Sequence, residues 1–185
     1  MNTRRRFLQR SAATAAAALG CSALPTPARA AGGENISFGL CTYMWGAEWD
    51  VPTIIANLNQ LEIRGVELRV EHAHKVEPVL SPEQRNKVRQ QFEDGGIEVV
   101  GIGTNAQFDS PDPGKLITNV DLAKQYVKLS HDVGGSGVKV KPNNFHDKKE
   151  GIPREKTLEQ IGKSLAELGD FALGFGQEIR LEVHG

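Results

Sequence analysis

Gly65-Val66-Glu67-Leu68-Arg69-Val70 decides the fold, because its apolar and charged residues alternate without a break. Successive side chains of an extended segment point to opposite faces, which puts Val66, Leu68 and Val70 on one side and Glu67, Arg69 and Glu71 on the other. The same split recurs twice. Val138 and Val140 oppose Lys139 and Lys141; Ile179, Leu181 and Val183 oppose Arg180, Glu182 and His184. Central strands of a doubly wound sheet lie under helices on both faces and read as nearly unbroken apolar runs. A barrel strand has one helix-covered apolar face and one lumen face, where charged groups near the C-terminal rim can line a site. The alternation favours the barrel. Because an unpaired buried charge is costly, the mixed signs have a use: Arg69, Lys139, Lys141 and Arg180 can compensate Glu67, Glu71 and Glu182 across neighbouring strands. Two readings of this layer stand together, a structural set of salt bridges and the lining of a site.

The pattern extends in both directions as strand followed by helix. Strands are predicted over 36–42, 65–70, 97–103, 137–141 and 178–184. A helix over 51–61 opens with Asp50 as its cap and Pro52 in its first turn. Ser81-Pro82-Glu83-Gln84 opens a second and Gly95-Gly96 closes it. Two more are expected over 115–133 and 154–173, the former after a turn-rich loop from Asp109 to Gly114. Five such steps in about 155 residues, roughly 31 each, call for a parallel sheet with crossover helices. The fold class is therefore α/β, a (β/α)8 TIM barrel truncated after strand 5, since eight strands close such a barrel and five are legible. By itself this arrangement leaves strand edges open, which favours association into an oligomer or low stability.

The first thirty residues read as an address rather than part of the barrel. Thr3-Arg4-Arg5-Arg6-Phe7-Leu8 is a twin-arginine pattern, the alanine-rich stretch 12–19 is its apolar core, and Ala28-Arg29-Ala30 is an A-x-A cleavage site. Domains are thus expected at 1–30, an export signal, and 31–185, the incomplete barrel, with a periplasmic or extracellular destination. Gly20-Cys21 offers a second, lipoprotein-type processing site, though Ala18 stands where that pattern favours leucine. A stable membrane anchor is not expected, because Pro25 and Pro27 interrupt a run already shorter than the roughly 20 apolar residues of a span.

The chain of 185 residues has a formal charge of −1, and that figure conceals an asymmetry. Residues 1–30 contain five arginines and no acid; setting these five apart from the 22 basic residues leaves 17 against 23 acidic, a remainder of about −6. Such a surface argues against a nucleic-acid partner, whose binding rests on phosphate neutralisation. Of the two cysteines, Cys21 lies in the address, so Cys41 has no partner for a disulfide in the mature chain.

Strand 1 with Ile36-Ser37-Phe38-Gly39-Leu40, strand 2 with Gly65-Val66-Glu67-Leu68-Arg69, strand 3 over 97–103 and Leu181-Glu182-Val183-His184-Gly185 in strand 5 together resemble the xylose-isomerase-like TIM barrel superfamily. That superfamily contains sugar and sugar phosphate isomerases and epimerases and shares its fold with endonuclease IV. The resemblance spans 36–185 as element order. It implies a divalent-metal-dependent isomerase or epimerase acting on a small-molecule sugar or sugar phosphate, with Mg, Mn or Zn as cofactor, and makes Glu182 the metal ligand that ends strand 5. It also implies further ligands from strands 6 to 8, which this sequence lacks, so the chain alone is not expected to hold the ion. Moving a proton beside a carbonyl leaves negative charge on oxygen, which a cation stabilises while a carboxylate or histidine shuttles the proton. Glu182 suits ligand or base, and His184 joins it as a catalytic candidate because both fall on the lumen face. A non-catalytic remnant, a carbohydrate-binding half-barrel and an abasic-site endonuclease are the competing readings; the acidic remainder and the export signal oppose the last.

Candidates for substrate binding sit at other strand ends. His72 and His74 have the i, i+2 spacing that places both rings on one side of an extended segment. Lys141 and Asn143 end strand 4, where they could bind a polyol. Each of these four is also readable as a solvated polar residue. Trp45 and Trp49 follow strand 1 as a sugar-stacking wall or as rim packing, and His146 reads as an ordinary loop histidine. Gly101-Ile102-Gly103 is no dinucleotide fingerprint, since no third glycine opens a helix after it.

Overall fold

The computed structural model of the chain describes residues 36–142 and 144–183. The element order is β1 (Gly39–Cys41), α1 (Val51–Gln60), β2 (Gly65–Arg69), α2 (Pro82–Asp94), β3 (Glu98–Gly103), α3 (Pro113–Asp132), β4 (Gly137–Val140), α4 (Asp147–Glu150), α5 (Arg154–Leu173) and β5 (Glu178–Leu181). All strands pair in parallel, in the spatial order β1-β2-β3-β4-β5. A doubly wound sheet reverses its direction of growth at a switch point. This sheet never reverses, as a barrel wall requires.

Local chemistry sets the helix starts. The Asp50 carboxylate accepts from the Thr53 N–H at 2.9 Å, and Ser81 and Gln84 form a reciprocal capping box. Asp112 accepts from the N–H groups of Gly114 and Lys115, so α3 begins at Pro113, two residues before its expected start. The short helix α4 has no counterpart in the sequence reading. β1 is also shorter than expected, and β5 ends at Leu181, leaving Glu182 as the first residue past the strand. Its N–H still donates to Val140 O at 2.9 Å, which continues the parallel ladder by one step.

The apolar face of the sheet is buried as the alternation requires. Val66, Leu68, Val70, Ile102, Val138 and Val140 are almost wholly enclosed, packed with Ile54 and Leu58 of α1, Phe92 of α2, Val127 of α3 and Leu168 of α5. On the opposite face the register brings Cys41 level with Glu67, Arg69 with Gly103, and Lys139 with both Gly103 and Arg180. Between Val66 and Glu67 the pairing with β3 slips by one residue, so that Val66 meets Val99 and Glu67 meets Gly101. This bulge lets β3 bury Val99 with the core and still turn Gly101 and Gly103 to the lumen.

Candidate active site at the lumen rim

Those two glycines make the lumen possible. A Cβ on Gly103 would stand 2.8 Å from Glu67 Oε1; one on Gly101 would stand 2.5 Å from Gly137 O and 2.9 Å from Arg180 Nη1. Side chains from β2 and β5 therefore lie across β3 where a larger residue would block them. Gly101 and Gly103, which the sequence places in no motif, are spacers.

In the space they clear, Lys139 bridges two carboxylates. Its ammonium lies 2.7 Å from Glu67 Oε1 and 2.8 Å from Glu182 Oε2. The Cys41 thiol donates to Glu67 Oε1 at 3.2 Å. Burial pulls the Lys139 pKa down, but hydrogen bonds to Glu182 and Glu67 more than offset it and leave it above the usual lysine value. Burial and the bond to Glu67 push the Cys41 thiol up, so it stays protonated at neutral pH. Arg69 donates Nη1–H to Gly103 O at 2.9 Å and Nη2–H to Asn105 Oδ1, while its guanidinium carbon stands 5.9 Å from the centre of the Tyr43 ring. Cys41, Tyr43, Arg69, Lys139, Lys141 and Glu182 together line a cavity of about 240 Å³.

The structure thus brings together Glu182 and Lys141 of the expected site residues. Asn143 and His184 lie outside the described residues. His74 requires a correction. The segment after β2 is not extended but turns, with Glu71 and Lys75 both at positive φ (64° and 55°), and folds His74 inward. Val76 N–H donates to its Nδ1 at 3.0 Å, so Nε2 carries the proton and donates to Arg69 O at 2.8 Å. Burial holds its pKa below the usual histidine value, and both nitrogens are spent on backbone. It is a core histidine that fixes the loop. His72 lies outside the cavity lining, its ring stacked on Tyr43 with centroids 6.4 Å apart and edge-on to His74 at 6.2 Å.

The expected charge compensation is also only partly realised. Lys139 neutralises Glu67 and Glu182. Arg180 instead spans the base of the lumen, donating to Val100 O at 2.7 Å and Ser136 Oγ at 2.8 Å and pairing with Glu178 at 3.1 Å. No sequence motif singles out Tyr43 or Asn105, although Tyr43 lies two residues beyond Cys41 and continues its period-2 face. Trp45 is largely exposed, and Trp49 packs against the core.

The donor set does not fit a divalent ion by itself. Glu182 lines the cavity and shares the Lys139 ammonium with Glu67; among the described residues no three His, Cys, Asp or Glu side chains are placed to hold a metal. Nor does any helix there have the length and apolarity to cross a membrane.

No curated protein matches the sequence. Solved structures do resemble the fold. A D-psicose 3-epimerase from Clostridium cellulolyticum H10, solved with D-tagatose, aligns over 80% of this chain and 52% of its own at 19% identity and a TM-score of 0.67. An L-ribulose 3-epimerase aligns over 79% of this chain and 49% of its own at 18% identity and a TM-score of 0.62. The IOLI protein, solved with a bound zinc atom, aligns over 81% and 52% at 15% identity and a TM-score of 0.69. The chain spans about half the length of these structures. The family model described as xylose isomerase-like TIM barrel matches residues 55–185, from within α1 through β5, and the chain belongs to that family.

Proposed function

We propose that the chain forms the N-terminal part of a sugar isomerase or epimerase, with Glu182 as the acid–base group beside the substrate carbonyl. The observation that supports this most strongly is the Lys139–Glu182 pair at 2.8 Å on the cavity wall. It sets a proton acceptor next to a fixed positive charge, the combination needed when a proton leaves the carbon beside a carbonyl and charge builds on oxygen. The family membership and the epimerases among the structural relatives agree with that chemistry. Dependence on a divalent metal is part of the proposal, with Glu182 supplying one donor and the others coming from beyond the described residues. Export by the twin-arginine route belongs to it as well.

One observation favours a second reading, a carbohydrate-binding half-barrel without turnover: no set of metal ligands converges among the described residues. Incubating an intact version of the protein, with the strands 6 to 8 that the resemblance implies, with D-fructose, D-tagatose and D-psicose, with and without Mn²⁺, and resolving the products by chromatography separates the two. The first reading expects ketose interconversion that falls by about 100-fold in Glu182→Gln. Unchanged turnover in that variant removes Glu182 from the chemistry. Sugar binding without turnover selects the second reading.

A further inference from the structure

Arg69 is 8% exposed, and among the described residues its guanidinium has no carboxylate against it. Of its five N–H donors, the two hydrogen bonds it makes reach neutral acceptors, Gly103 O and Asn105 Oδ1. The Glu71 carboxylate touches this group only at second hand, accepting from Asn105 Nδ2 at 3.2 Å. Glu67 lies on the other side of Gly103, with its Oε1 engaged by Lys139 and Cys41. Lys141, on the same cavity wall, forms no ion pair among the described residues. Three cations, Arg69, Lys139 and Lys141, thus face two carboxylates, Glu67 and Glu182, and both of those acids are bound to Lys139. The excess positive charge lies at the Arg69 and Lys141 side.

A guanidinium held out of water without a counter-charge favours an anion strongly, and its planar fork matches carboxylate and phosphate oxygens. We propose that the Arg69 and Lys141 side of the cavity is a subsite for an anionic substituent of the sugar, a carboxylate or a phosphate. Arg69 supplies directed N–H donors from a position fixed by Gly103, Asn105 and Tyr43; Lys141 supplies a mobile charge at the rim. The sugar itself rests on the reading given above, and its anionic group extends away from Glu182. Neutral ketoses would leave this subsite unmatched. Sugar acids or sugar phosphates would fill it.

Isothermal titration of the full chain at low ionic strength with D-galacturonate, D-fructose 6-phosphate, D-fructose and inorganic phosphate tests this directly. At least one anionic sugar is expected to bind about tenfold more tightly than D-fructose. That advantage should shrink as NaCl is raised, and whichever anionic sugar binds better identifies carboxylate or phosphate as the group. In Lys141→Gln, and in Arg69→Lys where far-UV circular dichroism confirms folding, the anionic probe should fall to the affinity that D-fructose has for the same variant. Anionic sugars binding no better than D-fructose would overturn the subsite and leave the sugar reading standing. Inorganic phosphate binding as tightly as D-fructose 6-phosphate, and weakened by Lys141→Gln, would support the subsite and count against the sugar. An anionic preference that survives both substitutions would also overturn the assignment.

Discussion

Lys139 is the residue on which the lumen depends, because among the described residues it sets positive charge between Glu67 and Glu182. Its side chain and those of both acids are partly shielded from water, so removing the ammonium leaves two like charges facing each other with little solvent to screen them. Lys139→Met is expected to lower stability by about 1 to 3 kcal/mol in urea denaturation, with Glu67→Gln in the same chain recovering part of the loss. Because the Lys139 pKa is raised, this contribution is complete at neutral pH and is lost only as pH climbs past the ordinary lysine value of about 10.4. Gly101 is the second sensitive position. Its added methyl would meet the backbone oxygen of Gly137, which has no rotamer to yield, so Gly101→Ala should cost about 1 to 3 kcal/mol by the same measurement. The period-2 rule was enough to put Glu67, Arg69, Lys139 and Glu182 on one face. It could not say which cation meets which acid, because that choice turns on rotamers and on the clearance that Gly101 and Gly103 provide.

Among the elements, the helix starts were the most legible, since Asp50 and Ser81 act through contacts within four residues of sequence. The turn after β2 was the least. Positive φ at Glu71 and Lys75 has no glycine or asparagine to announce it, and the backbone bonds of His74 depend on the packing of the whole loop. The loop before α4 hides a similar long-range tie. His146 stands 3.2 Å from Asp109 and 3.2 Å from Glu150, joining the β3–α3 loop to α4. Burial draws its pKa down, but the two carboxylates prevail and raise it above the usual histidine value. The imidazolium form therefore stabilises the fold fully below about pH 6.5, and that share disappears as pH rises through the elevated pKa. Thermal unfolding followed from pH 5.5 to 8.5 should show stability falling with rising pH in this window. His146→Gln should flatten that slope, and a variant with the slope of the parent would remove the tie.

For the molecule as a whole, the strand order β1-β2-β3-β4-β5 is what separates a barrel wall from an open doubly wound sheet. Charged alternate positions in three strands carried that conclusion from sequence alone, because a sheet covered on both faces could not bury Glu67, Lys139 and Arg180 together. The bulge in β2–β3 was not legible, as it arises from fitting a valine-rich start and a glycine-rich end of β3 onto opposite faces. Both edge strands, β1 and β5, pair on one side only among the described residues. The proposed chemistry places the sugar on the lumen face of this sheet. A crystal of the chain soaked with D-tagatose tests this most directly: the account predicts sugar density within hydrogen-bond distance of Glu182 and Lys139. Density confined to the helix side of the sheet, with Glu182 untouched, would contradict it.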